Sequence, residues 1–285
     1  MTGHVDTFVR DNLPPQDQWP ELRFTLPELQ FPAQYNASSI LDRAISNGFG
    51  GRNAVLSASG ALSYDMLLRE ACRIAHVLKH DFGLVPGARV LIHASNTSLS
   101  VPLWWGVFRA GGVAVGTMPM LRAHELAVII EKAKVSHAIV DPHLAGEFEQ
   151  ARKDAPSLQH LILTDQLAQV MTNAPDHCAA VETAADDPAL IAFTSGTTGK
   201  PKGCVHFHRD IAAMAETFSR HVLQPNASDV FIGTPPLAFT FGLGAGVIFP
   251  ANVGAATAIC AKPGFDVLAD TIAQHGATTL FTSPT

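Results

Sequence analysis

Charged side chains are scarce in this chain of 285 residues, and basic ones are outnumbered by acidic ones. Only 15% of the residues are charged, with 19 lysines and arginines against 25 aspartates and glutamates. A globular domain usually has about 25% charged residues. The acidic balance excludes a basic nucleic-acid binder, and the hydrophobic content of 47% excludes a disordered chain. The low charge predicts either much buried surface or a face that normally contacts something else.

Cysteine is also scarce, and the four cysteines stand far apart in the sequence, at Cys72, Cys178, Cys204 and Cys260. No Cys-x-x-Cys pair occurs, so the cysteines do not indicate a zinc site. We expect all four to be small buried residues in a reducing compartment. The first twenty residues carry aspartates and prolines where a secretory signal needs a basic and then an apolar segment. The sequence therefore predicts a cytoplasmic protein.

Residues 230–261 contain no charged side chain, and a run of this length raises the question of a membrane span. Pro235, Pro236 and Pro250 interrupt the run, which also holds five glycines. A buried strand, a glycine-rich turn, a short helix and a second strand fit this pattern better than one long helix. We therefore expect no membrane partner.

Helical and strand signals alternate along most of the remaining sequence. Apolar residues spaced by three and four predict helices at residues 64–82, 99–109 and 124–135. Short apolar runs predict strands at residues 89–93, 111–119, 136–141, 160–165, 189–193 and 256–261. This alternation is typical of an α/β fold with mostly parallel sheets flanked by helices. We also expect Trp104 and Trp105 to pack inside their helix layer rather than to stack on a ligand.

The sequence predicts three parts. Residues 1–36 are an N-terminal arm, residues 37–180 a first α/β subdomain, and residues 181–285 a phosphate-loop subdomain. The last strand signal coincides with the end of the chain, and a buried strand rarely completes a domain. We therefore expect a domain that is truncated at its C-terminal end.

Residues 194–203 combine four hydroxyls, three glycines and two lysines directly after a predicted strand. Glycines let successive N–H groups face one concavity, and hydroxyls and lysines add donors and charge, which suits a phosphate or pyrophosphate. The usual phosphate-loop pattern does not fit, because it needs a glycine at Thr194 and a hydroxyl at Pro201. A hydrolase nucleophile at Ser195 would need glycines at Phe193 and Thr197. From composition alone, a surface turn stays an alternative.

The segment TSGTTGKPKG resembles the signature loop of the adenylate-forming superfamily, which includes acyl-CoA synthetases, firefly luciferase and the adenylation domains of peptide synthetases. Residues 104–126 and 235–242 also resemble that family, the second segment being the one that forms a wall of the acyl site. The N-terminal residues, together with Phe239 where many relatives carry histidine, look most like the benzoate-CoA and 2-aminobenzoate-CoA ligases.

The resemblance implies a ligase reaction in two steps. A small aromatic carboxylic acid attacks the α-phosphorus of ATP to give an acyl-adenylate, and coenzyme A then displaces AMP. It implies that Lys200 and Thr197 are catalytic and that Phe239, Phe241 and Gly242 line the acyl pocket. The implied ATP phosphate-binding residues are Thr194, Ser195, Gly196, Thr197, Thr198, Gly199, Lys200 and Lys202.

The resemblance also leaves several points open. It implies that the chain is the incomplete N-terminal large domain of an adenylate-forming enzyme and that the small C-terminal domain is absent. It also implies Mg²⁺ as a cofactor, with ligands that lie outside this chain, and we expect the chain alone to be inactive. A homodimer is possible. One alternative is an adenylating enzyme that loads a carrier protein, and another is a catalytically silent nucleotide-binding fragment. His206 and His208 make a weak metal site without a third ligand, so we expect His208 instead near the start of the next helix.

Overall fold

The structure is a computed structural model that describes residues 2–194, 201–260 and 264–283. The strands are β1 (Asn53–Ser57), β2 (Gly60–Ser63), β3 (Arg89–His93), β4 (Val113–Gly116), β5 (Val135–Val140), β6 (His160–Leu163), β7 (Pro188–Thr194), β8 (Lys202–Phe207), β9 (Val230–Gly233), β10 (Ala256–Ala258) and β11 (Thr279–Phe281). The helices are α1 (Phe8–Asp11), α2 (Ser39–Ala44), α3 (Tyr64–His80), α4 (Ser100–Arg109), α5 (Ala123–Ala133), α6 (Ala145–Ala151), α7 (Thr164–Met171), α8 (His208–Met214), α9 (Thr240–Leu243), α10 (Phe249–Val253) and α11 (Phe265–His275). π-Helical turns at Ile45–Phe49, Ala215–Leu223 and Gly244–Ile248 follow α2, α8 and α9.

The longest helix, α3, begins and ends at local sequence signals. The Ser63 hydroxyl accepts a hydrogen bond from the Met66 N–H at 3.2 Å, which caps the first turn. Leu67, Ile74 and Leu78 repeat on one face and are buried. Gly83, with φ of 67°, then turns the chain away.

One sheet has six strands in the order β6-β5-β3-β4-β7-β8. All neighbouring pairs are parallel except β7 and β8, which form an antiparallel pair that aligns Thr194 with Lys202. The ends of the glycine-rich loop are therefore held side by side. The predicted α/β fold with mostly parallel sheets is confirmed.

The second sheet has five strands in the order β11-β9-β10-β1-β2. Within it only β1 and β2 are antiparallel. Both sheets take strands from before and after residue 180, so sheet membership does not follow the linear order of the sequence. The division into residues 1–36, 37–180 and 181–285 stays a prediction.

Apolar side chains separate into layers around these sheets. One face of the six-stranded sheet packs with α5 and α6 in a cluster that includes Leu91, Ile130 and Phe148. Its other face shares a larger cluster with α3, α4 and the five-stranded sheet, represented by Trp105 and Phe231. The far face of the five-stranded sheet packs with α11. The chain is thus layered as helix, sheet, helix, sheet, helix, with Trp104 and Trp105 buried in the middle layer as expected.

The described part of the charge-free run begins with β9 and has β10 near its end, so the two predicted strands are present. Between them α9, the π-helical turn at Gly244–Ile248 and α10 follow one another, where the pattern predicts a glycine-rich turn and one short helix. None of the helices in the described residues is long and apolar enough to cross a membrane. The expectation for the cysteines was wrong in part. Cys72 and Cys260 are buried and Cys178 is half-buried, but Cys204 is exposed because it lies on the edge strand β8.

Candidate active site

The carboxyl ends of β3, β4 and β7 meet at one edge of the six-stranded sheet. After β3 the chain crosses to β4 through α4, on the face toward the second sheet. After β4 it crosses back over β3 to β5 through α5, on the opposite face. Adjacent parallel strands whose connections leave on opposite faces open a crevice at their carboxyl ends, which is where α/β proteins bind ligands.

A cavity of about 930 Å³ lies at this edge. Its base is formed by the residues that end β4 and β7, among them Gly116 and Phe193. One side is the face of α5 that carries His124, Val128 and Lys132, and the other side is residues 238–240. The volume falls within the range of about 300–1,000 Å³ that is usual for small-molecule sites.

The two described ends of the glycine-rich loop, Thr194 and Pro201, both line this cavity. Lys132, on α5, donates a hydrogen bond from Nζ to the Pro201 carbonyl oxygen at 2.6 Å and so ties the end of the loop to the cavity wall. Lys202 is exposed at the start of β8. The remaining predicted phosphate-binding residues lie outside the described residues: Ser195, Gly196, Thr197, Thr198, Gly199 and Lys200.

Phe239 lines the cavity and stands just before α9, with 42% of its surface exposed. The chain before it comes close to the sheet edge, because a Cβ on Gly116 would lie 2.5 Å from the Ala238 carbonyl oxygen. Only glycine at position 116 therefore allows this approach. The structure thus brings Thr194 and Phe239, two of the predicted site residues, to the same cavity.

Phe241 and Gly242 do not line this cavity. Phe239 precedes α9 and has extended backbone, whereas Phe241 lies in the first turn of the helix, so the two residues have different surroundings. The Phe241 ring packs edge-on against Phe281 at 5.6 Å between ring centroids. Gly242 is buried, and a Cβ there would collide with the Pro236 carbonyl oxygen. The acyl-pocket role of Phe241 and Gly242 stays a prediction.

Asn96 follows β3 and holds the segment that carries Phe239. Its side-chain oxygen accepts a hydrogen bond from the Leu237 N–H at 3.1 Å, and its amide nitrogen donates to the Pro235 carbonyl at 3.4 Å. Pro235 and Pro236 have no N–H, so Leu237 offers the first main-chain donor after the prolines. Sequence analysis missed Asn96, although its place after a predicted strand could have drawn attention to it.

Polar side chains continue along the same edge. His93 Nδ1 lies 2.9 Å from the hydroxyl of Thr117, a cavity residue, and burial lowers the pKa of His93 to about 4. Asp141, after β5, accepts hydrogen bonds from the Ser95 N–H and the Thr164 hydroxyl at 2.8 and 3.0 Å. The Asp141 contacts hold the loops after β3, β5 and β6 together. They too were missed, since each pair is distant in sequence.

A metal site is not evident in the described residues, where no three His, Cys, Asp or Glu side chains are close enough to share an ion. Among the described residues that line the cavity, Glu125 alone carries a carboxylate, which accepts a hydrogen bond from the Arg122 N–H and so caps α5. His206 lies on β8, but that strand ends at Phe207. His208 begins α8, as expected, and accepts a hydrogen bond from the Ala37 N–H through Nδ1 at 3.0 Å.

Comparison with known proteins relates this chain to one group of enzymes. The family model described as AMP-binding enzyme matches residues 42–285. A benzoate–CoA ligase of Thauera aromatica is 29% identical over 244 residues, covering 84% of this chain and 46% of that protein. A salicyl-AMP ligase and salicyl-S-ArCP synthetase of Mycobacterium tuberculosis is 29% identical over 267 residues, covering 86% and 47%.

A solved structure gives the same result. The crystal structure of an anthranilate CoA ligase in complex with anthranoyl-AMP aligns with a TM-score of 0.82 and 26% identity, covering 90% of this chain and 50% of that one. The chain spans about half the length of the curated relatives it matches. The expected resemblance to the adenylate-forming enzymes is confirmed.

Proposed function

Because the chain belongs to the AMP-binding enzyme family, we propose that its complete protein activates an aromatic carboxylic acid with ATP and transfers the acyl group to coenzyme A. The observation that carries this proposal is the cavity that Thr194 and Phe239 share. The phosphate-binding loop begins at one of these residues, and the other presents an aromatic ring. A carboxylate that packs against the ring would therefore lie in the same space as the phosphates.

The chemistry assigns a separate task to each side of the cavity. In the first step, negative charge develops on the departing pyrophosphate oxygens as the carboxylate attacks the α-phosphorus. We assign Lys200, Thr197 and the neighbouring loop donors to that charge, because fixed donors stabilise developing charge most in a site that excludes water. The Lys132 contact to Pro201 supports this assignment, since it fixes one end of the loop.

The part of the cavity proposed to bind the carboxylic acid favours a planar ring. Phe239 and Phe193 supply aromatic faces, and Leu121, Val128 and Ile129 supply apolar surface. An aromatic pair adds about 0.5–1.5 kcal/mol to simple burial, whereas an alkyl chain gains burial alone. Benzoate and 2-aminobenzoate are the proposed substrates, in keeping with the names of the similar ligases.

Magnesium, a homodimer and a cytoplasmic location remain further proposals. The cavity offers no carboxylate that is free of a structural hydrogen bond in the described residues. No step is therefore assigned to a metal ligand of this chain. Sedimentation would test the dimer, and cell fractionation would test the location.

Competition between acids tests the proposed function. The complete protein is given ATP, coenzyme A and equal amounts of benzoate, 2-aminobenzoate and octanoate, and the thioesters are separated and quantified. We expect aryl thioesters to dominate. A preference for octanoate would contradict the aromatic assignment. A protein that binds ATP but forms no acyl-adenylate with any of the three acids would contradict the ligase proposal and support the silent nucleotide-binding alternative.

One relative transfers its acyl group to a carrier protein according to its name. If the protein forms aryl-adenylate but no thioester with coenzyme A, a carrier protein becomes the acceptor. A trial with a phosphopantetheinylated carrier protein distinguishes the two acceptors.

A further inference from the structure

Two of the four cysteines lie against each other in the fold although 106 residues separate them in the sequence. Cys72 is in the middle of α3, and Cys178 lies in the segment of residues 172–187, which connects α7 to β7. Cys72 Sγ is 3.7 Å from the Cys178 carbonyl oxygen, and Cys178 Sγ is 3.9 Å from the Cys72 carbonyl oxygen. These reciprocal contacts place the two thiols side by side.

Polar contacts hold this part of the connecting segment on the helix layer. The Arg73 guanidinium lies 3.5 Å from the Asp176 carboxylate. Arg109, which is 5% exposed, donates two hydrogen bonds to the Cys178 carbonyl at 3.0 and 2.6 Å. The same guanidinium binds both oxygens of Asp42. These contacts hold Asp176 and the Cys178 main chain against α3 and α4, and so keep the two thiols close together.

The two thiols differ in exposure and in acidity. Cys72 is buried, with 1% of its surface exposed, whereas Cys178 is half-buried. The hydrogen bond with Cys72 lowers the pKa of the Cys178 thiol, and the Arg109 guanidinium acts in the same direction against the effect of burial. The hydrogen bond with Cys178 and burial raise the pKa of the Cys72 thiol. Cys178 is thus the thiol that ionises first and that a small oxidant meets first.

We propose that Cys72 and Cys178 form an oxidative modification site, at which a peroxide converts the two thiols to an intramolecular disulfide. The site uses neither the cavity at the sheet edge nor the glycine-rich loop. It therefore stands independently of the proposed ligase function.

The reaction balances with a peroxide as the only oxidant. The Cys178 thiolate attacks the peroxide, so that an S–O bond forms, the O–O bond breaks and hydroxide leaves. The Cys72 sulfur then attacks the sulfenic sulfur, so that the S–S bond forms, the S–O bond breaks and water leaves. Two thiols lose two electrons and two protons, and hydrogen peroxide becomes two molecules of water.

The disulfide would tie residues 172–187 to α3. A cross-link between residues so distant in sequence restricts the unfolded chain strongly, so the oxidised form should unfold at a higher temperature than the reduced form. The linked segment leads into β7, which ends at Thr194.

The test treats the reduced full chain with hydrogen peroxide and digests it without a reductant. Mass spectrometry should find one linked peptide pair, Cys72 with Cys178, that lacks two hydrogens and separates again with dithiothreitol. A wild-type chain that keeps Cys178 as a persistent sulfenic acid, or that links Cys178 to Cys204, would overturn the proposal. This experiment needs no substitution, so it stands even if a variant fails to fold.

Variants then test the order of attack. Cys204→Ser removes the exposed thiol and should leave the cross-link unchanged. Cys72→Ala should abolish the cross-link and leave Cys178 as a sulfenic acid that dimedone traps. In Cys178→Ala, Cys72 should lose its thiol at least about tenfold more slowly than in the wild type, because it is buried and its pKa is raised. Equal rates of Cys72 oxidation in the two proteins would contradict the assigned order.

Discussion

Phe239 and Phe241 are neighbours in sequence but differ in what surrounds them. The ring of Phe239 faces the cavity, whereas that of Phe241 packs against Phe281. From the sequence, both residues were predicted to line the acyl pocket. A segment of alternating aromatic residues does not indicate where a short helix begins. The start of α9 at Thr240 separates them.

This difference predicts unequal effects of two matched substitutions. Phe239→Ala in the complete protein should raise KM for benzoate about tenfold, which corresponds to a loss of about 1–2 kcal/mol of ring contact. Phe241→Ala should change KM by less than about twofold. Steady-state kinetics with benzoate and a short aliphatic acid give the comparison. Equal effects of the two substitutions would show that Phe239 has no special contact with the ring.

Lys200 and Thr197 belong to the loop whose two ends meet at the cavity. Replacing either by Ala should slow adenylation by about a hundredfold or more, which is the usual effect of losing one preorganised donor. Pyrophosphate exchange into ATP measures this step, and thioester formation from supplied acyl-adenylate should change far less. Lys153→Ala, at an exposed lysine after α6, is the control. If both half-reactions slow equally, the loop is structural.

At the scale of elements, the segment of residues 235–239, which carries Phe239, is held by a contact between distant parts of the chain. Asn96 lies in the loop after β3, and Leu237 lies in the segment after β9. The first loop follows a strand of the six-stranded sheet, and the second follows a strand of the five-stranded sheet. Asn96 therefore fixes the loop after β9 against the loop after β3.

Asn96→Ala should raise KM for the aromatic acid several-fold, since a lost hydrogen bond of this kind is worth about 1 kcal/mol. The value of kcat should fall less, because the loop donors remain in place. Asn96→Asp keeps the acceptor for the Leu237 N–H and loses the donor to Pro235, so an intermediate KM is expected. Asn173→Ala, on an exposed turn, is the control. Thermal unfolding shows whether any change reflects lost stability instead.

Helix α5 illustrates how far local signals reach. Its apolar spacing predicts a helix over residues 124–135, and the structure has Ala123–Ala133. The helix ends early because Lys134 adopts φ of 50°, in the left-handed region where glycine or asparagine usually stands. A lysine there gives no stop signal, so the end of the helix could not be predicted from the sequence.

At the scale of the whole molecule, the alternation of helices and strands was sufficient to predict parallel sheets, and the ten-residue loop was sufficient to identify the family. The assignment of strands to the two sheets was not predictable. Strand β1 pairs with β10 about 200 residues later, with Val55 beside Thr257, and no local pattern encodes such a pairing. The cavity could not be predicted for the same reason, because the elements that line it, α5, β7 and residues 238–240, are far apart in the sequence.

Buried histidines make the fold sensitive to acid. Desolvation lowers the pKa of His208 to about 3 and that of His93 to about 4, from an ordinary value of 6.5. The neighbouring His4 also lowers the pKa of His208, and Asp187 opposes this effect. Both histidines are fully buried and stay neutral in the native state. His208 also begins α8, where the helix dipole disfavours positive charge.

The lowered pKa of His208 determines how the stability of the fold changes with pH. Between pH 6.5 and 3 the unfolded chain binds a proton at position 208 that the native chain excludes. The free energy of unfolding therefore falls as pH drops through this range and is fully restored above it. The effect of His208 alone is on the order of a few kcal/mol. Urea unfolding at several pH values measures the slope.

His208→Asn makes the test specific, because the asparagine oxygen can accept the Ala37 N–H as Nδ1 does but cannot take up a proton. The variant should be less stable at neutral pH, since the smaller side chain leaves space in the core, yet its stability should fall less steeply between pH 6.5 and 4. His177→Gln, at a histidine whose side chain is 92% exposed, should keep the wild-type slope. An unchanged slope in His208→Asn would mean that other groups govern the acid response. A shallower slope would identify His208 as a group through which acid destabilises the fold.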